Sequence, residues 1–140
     1  MMLSPEHTLA ILQLYARYNQ SLDAGNVDDY LRCFARDGVL SRNGSPLTGP
    51  DQLSRFVAEV APTGLKHMVS NIVVNGSEDL GPEFAVGYAD LLVLQAVGDQ
   101  LSIMTAGSYG DLLCRTEGEW VFKQRLYVTT PLGTRSAVTS

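Results

Sequence analysis

A chain of 140 residues has room for one folding unit of ordinary size and little for a second. Hydrophobic residues make up 45% and charged residues 18%, which is enough apolar material for a core and too little charge for a disordered acidic chain. Ten Lys and Arg against fifteen Asp and Glu leave a net charge of −5, which denies the chain the basic footprint of a nucleic-acid binder.

Ser4 followed by Pro5 reads as the N-cap and first position of a helix. Apolar and aromatic side chains at Ile11, Leu12, Leu14, Tyr15, Ala16, Tyr18 and Leu22 recur at threes and fours, a wide stripe that ends before Gly25. A second, shorter helix is expected from Asp28 to Phe34, its first turn carrying carboxylates that suit the positive end of a helix dipole. Val39 and Leu40 suggest a short strand and Asn43-Gly44-Ser45-Pro46 a turn. Gly49-Pro50-Asp51 opens a third helix through Leu53, Phe56, Val57 and Val60, and Pro62-Thr63-Gly64 closes it.

From Leu65 onward the chain is rich in Val, Ile, Leu, Tyr and Thr and punctuated by Gly-containing turns, which predicts four long strands near 66–75, 84–97, 100–115 and 119–130. The connections at Gly98-Asp99 and Glu117-Gly118 are too short for a crossover, so they join antiparallel neighbours. Helices first and a meander afterwards indicate an α+β fold with helices on one face of a curved sheet. One domain over residues 1–130 and a tail over 131–140 are expected. No apolar run approaches the ~18 residues of a membrane span, and MMLSPEHT lacks the order of a signal peptide, so a soluble cytoplasmic protein without a membrane partner is expected. Cys33 and Cys114 form no CxxC pair and read as small buried hydrophobes. The two histidines, His7 and His67, have no metal-ligand spacing, and neither a metal nor a cofactor is expected.

His67 shares one face of its strand with Val69, Asn71 and Val73 by period-two alternation, so His67 and Asn71 are expected to point the same way. Asp23 lies at the C-terminal end of the first helix, where a negative charge opposes the dipole and local stability does not explain it. Paired with His67 it would fix the ring's tautomer and stabilise the imidazolium formed on taking a proton. Asp90 interrupts the apolar strand Gly87 to Leu94; turned inward it would be a neutral acid in a dry site, and turned outward it would sit beside Leu92 and Leu94 at an oligomer face. Tyr18 offers a phenolic donor. It stands roughly 140° from Asp23 on a continuous helix, so joint action requires the helix to end or bend there. Arg125 is a candidate for an anionic leaving group or a substrate carboxylate, the alternative being a solvated arginine on an edge strand. There is no GxSxG elbow, Walker loop or GxGxxG, which removes serine hydrolases and nucleotide enzymes from consideration.

Across about residues 8 to 128 the chain resembles the SnoaL-like branch of the nuclear-transport-factor-2-like superfamily. The likeness is carried by Tyr15 to Asp28, Cys33-Phe34-Ala35-Arg36-Asp37-Gly38-Val39, Leu47-Thr48-Gly49-Pro50-Asp51, Lys66 to Asn71, and Gly118-Glu119-Trp120-Val121-Phe122. The resemblance implies a cone-shaped barrel, a strongly curved and mostly antiparallel sheet around a central pocket closed by the helices, usually in a homodimer or larger oligomer. The order Tyr18, Asp23, His67, Asp90, Arg125 is similar to that of bile-acid 7α-dehydratases. The subset Asp23, His67, Arg125 is similar to hexachlorocyclohexane dehydrochlorinase and scytalone dehydratase, eliminating lyases with an Asp-supported His base. Ala89 stands where scytalone dehydratase has a second histidine, and Tyr18 where the dehydrochlorinase has a lysine, so the substrates of these enzymes do not transfer. The pattern of the limonene epoxide hydrolases is not evident. The expectation is a cofactor-free dehydratase or isomerase acting on a small hydrophobic molecule, steroid-like or polyketide-like. Tyr15, Phe56, Asn71, Tyr88 and Tyr109 are expected to contact the substrate. The alternatives are a polyketide cyclase, and a noncatalytic binding or assembly subunit similar to the small subunit of ring-hydroxylating dioxygenases.

Overall fold

The structure is a computed structural model that describes residues 2–131. The expected tail therefore lies, apart from Pro131, outside the described residues. Helix α1 runs Pro5–Ala24. Ser4 caps it, its hydroxyl accepting from the His7 N–H at 3.2 Å. Gly25, at φ 71°, ends it, and the N–H groups of Gly25 and Asn26 turn back to the carbonyls of Leu22 and Ser21. α2 (Val27–Arg32) starts at Asn26, whose side chain accepts from the Asp29 N–H. It is shorter than expected because Cys33 caps it and Phe34 already belongs to β1 (Phe34–Arg42).

The short strand expected at Val39 and Leu40 is thus nine residues long, and it makes a hairpin with β2 (Ser45–Thr48) through Asn43 and Gly44. Both turn residues have positive φ, as a two-residue hairpin turn matched to the twist of its strands requires. α3 (Gly49–Val60) and one 3₁₀ turn (Ala61–Thr63) follow. Four long strands complete the chain, β3 (Leu65–Ser77), β4 (Gly81–Val97), β5 (Gln100–Thr116) and β6 (Glu119–Thr129).

The sheet order is β2-β1-β6-β5-β4-β3, antiparallel throughout except where β1 runs parallel to β6. This is the expected α+β architecture of N-terminal helices over a six-stranded, mostly antiparallel sheet. The stripe of α1 that carries Ile11, Leu14, Tyr15, Tyr18 and Leu22 is fully buried. Opposite it lie Ala85, Ala89, Leu91, Val93, Tyr109, Leu113, Phe122 and Tyr127 from the inner face of the sheet. Burying a side chain the size of Leu22 stabilises the fold by ~1.5–3 kcal/mol, so this contact fixes the helix over the sheet. Cys33 and Cys114 are buried and free, as expected. No described helix is long and apolar enough to cross a membrane.

One bulge and plain strand alternation decide which side chains face inward. Asn71 adopts φ 52° in a bulge of β3, between the registered residues Ser70 and Val73. The extra residue flips the alternation, so His67 and Val69 face inward before it, Ile72 and Val74 after it, and Asn71 and Val73 outward. The expectation that His67 and Asn71 share a face is therefore corrected. On β4 the inward positions are Ala85, Ala89, Leu91 and Val93, which turns Tyr88 and Asp90 out.

Candidate active site

Asp23 and His67 meet where the last turn of α1 crosses the first residues of β3. Asp23 Oδ1 stands 2.6 Å from His67 Nδ1, and Oδ2 accepts the backbone N–H of His67 at 3.0 Å. The helix dipole does not explain this carboxylate; the two donors on β3 do. With the ionised carboxylate able only to accept, Nδ1 carries the ring proton and Nε2 carries the lone pair. The His67 side chain is 9% exposed and that of Asp23 23%, so the pair sits at a wall rather than in the core.

That wall borders a partly open cavity of about 170 Å³. Leu22, Phe56, Leu91 and Val93 give it an apolar lining; Tyr18, Tyr109 and Tyr127 add phenols, and Arg42, Asn43, Thr105 and Thr129 a polar section. Tyr18 reaches it from α1, which ends at Ala24 just past Asp23, and His67 comes to Asp23 from β3. The Tyr18 hydroxyl accepts from Tyr30 at 2.9 Å. Burial holds the Tyr18 and Tyr109 hydroxyls well above the usual phenol range, so both remain protonated donors.

Among the expected site residues the structure brings Asp23, His67, Tyr18, Phe56 and Tyr109 to one place. Asp90 is not there. It faces the outer side of the sheet, accepting from Asn71 Nδ2 at 2.8 Å and from the Ser108 hydroxyl at 3.3 Å, while Tyr88 donates to the same Ser108 at 3.1 Å. The expected inward acid Asp90 and substrate contacts Asn71 and Tyr88 are corrected to one outer-face polar cluster, placed by strand parity and the bulge. Ala89, which stands where the second histidine was sought, is buried on the inner face.

Arg125 and Tyr15 are corrected too. β6 is an inner strand and Arg125 is completely buried beneath the cavity rather than lining it. Its Nε stands 3.2 Å from Asp111 Oδ1, and its guanidinium carbon lies 3.3–5.0 Å from the ring centres of Tyr109, Tyr18, Phe122 and Tyr15. Nη1 and Nη2 have no hydrogen-bond partner among the described residues, so aromatic faces stand in for acceptors. Tyr15 donates to Asp111 Oδ2 at 2.5 Å instead of reaching a guest. Burial pushes the Asp111 carboxyl up, while Arg125 and Tyr15 pull it down. Tyr15 can reach Asp111 only because Gly87 has no side chain, since a Cβ there would collide with the Tyr15 hydroxyl. Gly87→Ala is expected to destabilise the fold by ~1–3 kcal/mol, read as a lower urea midpoint with the slope unchanged.

Asp111 and Tyr127 were not singled out by the sequence. Asp111 shares the parity of Tyr109 and Leu113 in an apolar strand, the same signal that drew attention to Asp90. Tyr127 carries no such signal. Its hydroxyl is buried with no hydrogen-bond partner among the described residues, a state that costs ~1–3 kcal/mol.

The chain matches the SnoaL-like domain family over residues 5–126. Among solved structures it is similar to a protein of unknown function with a cystatin-like fold from Nostoc punctiforme, at 26% identity over 94% of this chain and 97% of that one, with a TM-score of 0.83. It is similar in fold to an NTF2-like protein from Novosphingobium aromaticivorans (16% identity, 95% and 88% covered, TM-score 0.81). A protein from the same organism provisionally described as a scytalone dehydratase shares the fold at 22% identity, with 89% and 85% covered and a TM-score of 0.75. No curated protein matches the chain. A profile that spans the helices, the Asp23–His67 pair, the first five strands and most of β6 leaves one assignment: the chain is a member of the SnoaL-like domain family.

Proposed function

We propose that this protein is a cofactor-free lyase or isomerase in which His67, oriented by Asp23, removes a proton from carbon in a small, largely apolar guest. The observation that carries this reading is the double grip of Asp23 on His67, at Nδ1 and at the backbone N–H, beside an open cavity. The backbone N–H anchors the carboxylate and the carboxylate holds the ring at Nδ1, so Nε2 is presented in one direction, which is what a general base requires. The likeness to a protein provisionally described as a scytalone dehydratase supports the same reading.

In an elimination, Nε2 takes a proton from the carbon next to a carbonyl. The C–H electron pair becomes the new C=C bond, the C–O bond at the next carbon breaks, and its pair leaves with oxygen. The imidazolium then gives its proton to that oxygen, releasing water and restoring the base. In an isomerisation the imidazolium returns the proton to a different carbon. Both begin with the same abstraction, so one experiment tests both. In D₂O the protein is expected to place deuterium on the carbon next to the carbonyl of single-ring ketones, read by mass spectrometry, and Asp23→Asn to cut the rate toward the ~10²–10⁴-fold loss of a missing general base. Ketones that bind without exchanging refute the proposal and favour the ligand-carrying or assembly subunit. The proposal includes a homo-oligomer. Met68, Tyr88, Leu126 and Val128 lie on the outer face of the sheet, each at least 43% exposed, and a second copy of the sheet would cover them.

A further inference from the structure

Arg42 is the one fixed cation among the described residues that line the cavity bordered by His67, and no carboxylate side chain shares that lining. It is the last residue of β1, opposite Ser45 of β2 and beside Tyr127 of β6, so its backbone is held on both sides. The next residue ties the rim together, since Asn43 Nδ2 donates to the Thr129 hydroxyl at 3.1 Å and Asn43 Oδ1 accepts the Thr129 N–H at 2.9 Å. The side chain is placed as well. Its guanidinium carbon lies 4.7 Å from the ring centre of Phe56, a buried wall of the same cavity, while Arg42 itself is exposed and so stands at the open side. A ring face holds a cation in place but is a poor acceptor beside a carboxylate, so the forked N–H groups stay available. Among the described residues no carboxylate oxygen comes within 4.0 Å of Arg42, that of Glu59 in the adjoining groove included.

We propose that Arg42 determines specificity by binding a carboxylate on the guest, so that the protein takes single-ring keto acids in preference to neutral ketones of the same shape. The single ring follows from size, because the cavity of about 170 Å³ is close to an engineered apolar cavity of ~150 Å³ that holds benzene. One fixed cation matches one negative charge, and the planar fork of a guanidinium matches a planar carboxylate. Arg42 on β1 and His67 on β3 come from opposite ends of the strand order, with β6, β5 and β4 between them. A guest held by its carboxylate at the β1 side then offers its other end to the base. The inference rests on the proposed chemistry for where the guest reacts, but not for what holds its charged end.

The test is an NMR shift titration of the wild type, R42M, R42K and H67A with 4-acetylbenzoate and 3-acetylbenzoate, each against its neutral amide, which keeps the ring, the ketone and a planar end group. The wild type is expected to bind at least one acid roughly tenfold more tightly than its amide, the low end for hydrogen bonds to a charged group because the site is partly open to solvent. R42M is expected to abolish that preference and to hold the amide within about twofold. R42K keeps the charge without the fork, so it is expected to fall between the two, and it keeps the test readable should R42M lose its fold. Equal binding of acid and amide by the wild type, a preference that survives in R42M, equal weakening of both by R42M, or binding of no probe overturns the proposal. A preference kept in H67A assigns the anion to Arg42, whereas one lost there transfers it to the imidazolium and overturns the proposal. Deuterium uptake by acetophenone with no carboxylate preference sinks this inference alone, while a preference without uptake in any probe leaves it standing and sinks the proposed chemistry alone.

Discussion

Replacing His67 with alanine is expected to lower turnover by ~10²–10⁴-fold, the usual contribution of a positioned general base, with the fold intact. The fold survives because the Asp23 side chain is 23% exposed and keeps the backbone N–H of residue 67 as a donor, so deleting the ring strands no buried charge. No other imidazole can take over. His7 is the second of two histidines, and its ring is engaged by Trp120 Nε1 at 3.1 Å and lies near Arg115, away from the cavity. Formation of the conjugated enone from a β-hydroxy ketone, followed by near-ultraviolet absorbance, measures the effect. A loss below tenfold with unchanged circular dichroism removes His67 from the role of base. Asp23→Asn in the same assay shows whether the carboxylate acts through the ring, because an amide can donate to Nδ1 and so favour the wrong tautomer.

The fold was legible because its signals are local and mutually consistent. A capped amphipathic helix, an Asn-Gly turn and two short Gly-containing connections each dictate what their neighbours must do. What parity could not deliver are the face assignments, since one inserted residue reverses every side chain beyond it. Asn71 shows this directly. Asn tolerates the left-handed conformation, but nothing in the sequence marks Asn71 for it over Asn75, four residues later, which continues β3 without a positive φ. The β5–β6 hairpin repeats the lesson. Counting back from the Thr116–Glu119 pair without a bulge sets Arg125 opposite Gly110, whereas the register shift between Leu112 and Leu113 sets it opposite Asp111.

The Asp23–His67 pair was legible for a different reason. Each residue was locally misplaced, a carboxylate at the negative end of a helix and an imidazole at the start of an apolar strand, and the two misfits satisfy one another. The same logic drew attention to Asp90, which also interrupts an apolar strand, but its partners Asn71 and Ser108 wait on the opposite face. A misplaced charge predicts that a partner exists without saying on which side of the sheet it lies.

Arg125→Ala is expected to destabilise the protein by ~3–5 kcal/mol, the cost of removing one member of a buried ion pair. The guanidinium is wholly buried against Asp111 and beneath Tyr18 and Tyr109, so its loss strands a carboxylate and undercuts two walls of the cavity at once. The pH dependence has a definite sign. Burial already pushes Asp111 up, and Arg125 is one of the two groups pulling it down, so the variant leaves it higher still. A carboxyl whose folded value exceeds its unfolded value binds more protons when folded, so its stability falls as pH rises from the ordinary carboxylate value through the raised one. Urea unfolding at about pH 5 and about pH 8 therefore shows a larger deficit at the higher pH. Arg125→Met with Asp111→Asn removes both charges and is expected to recover part of the loss, as buried pairs replaced together often do. A variant that keeps its urea midpoint and loses only turnover would instead place Arg125 on the substrate, and would return it to the role its sequence position first suggested.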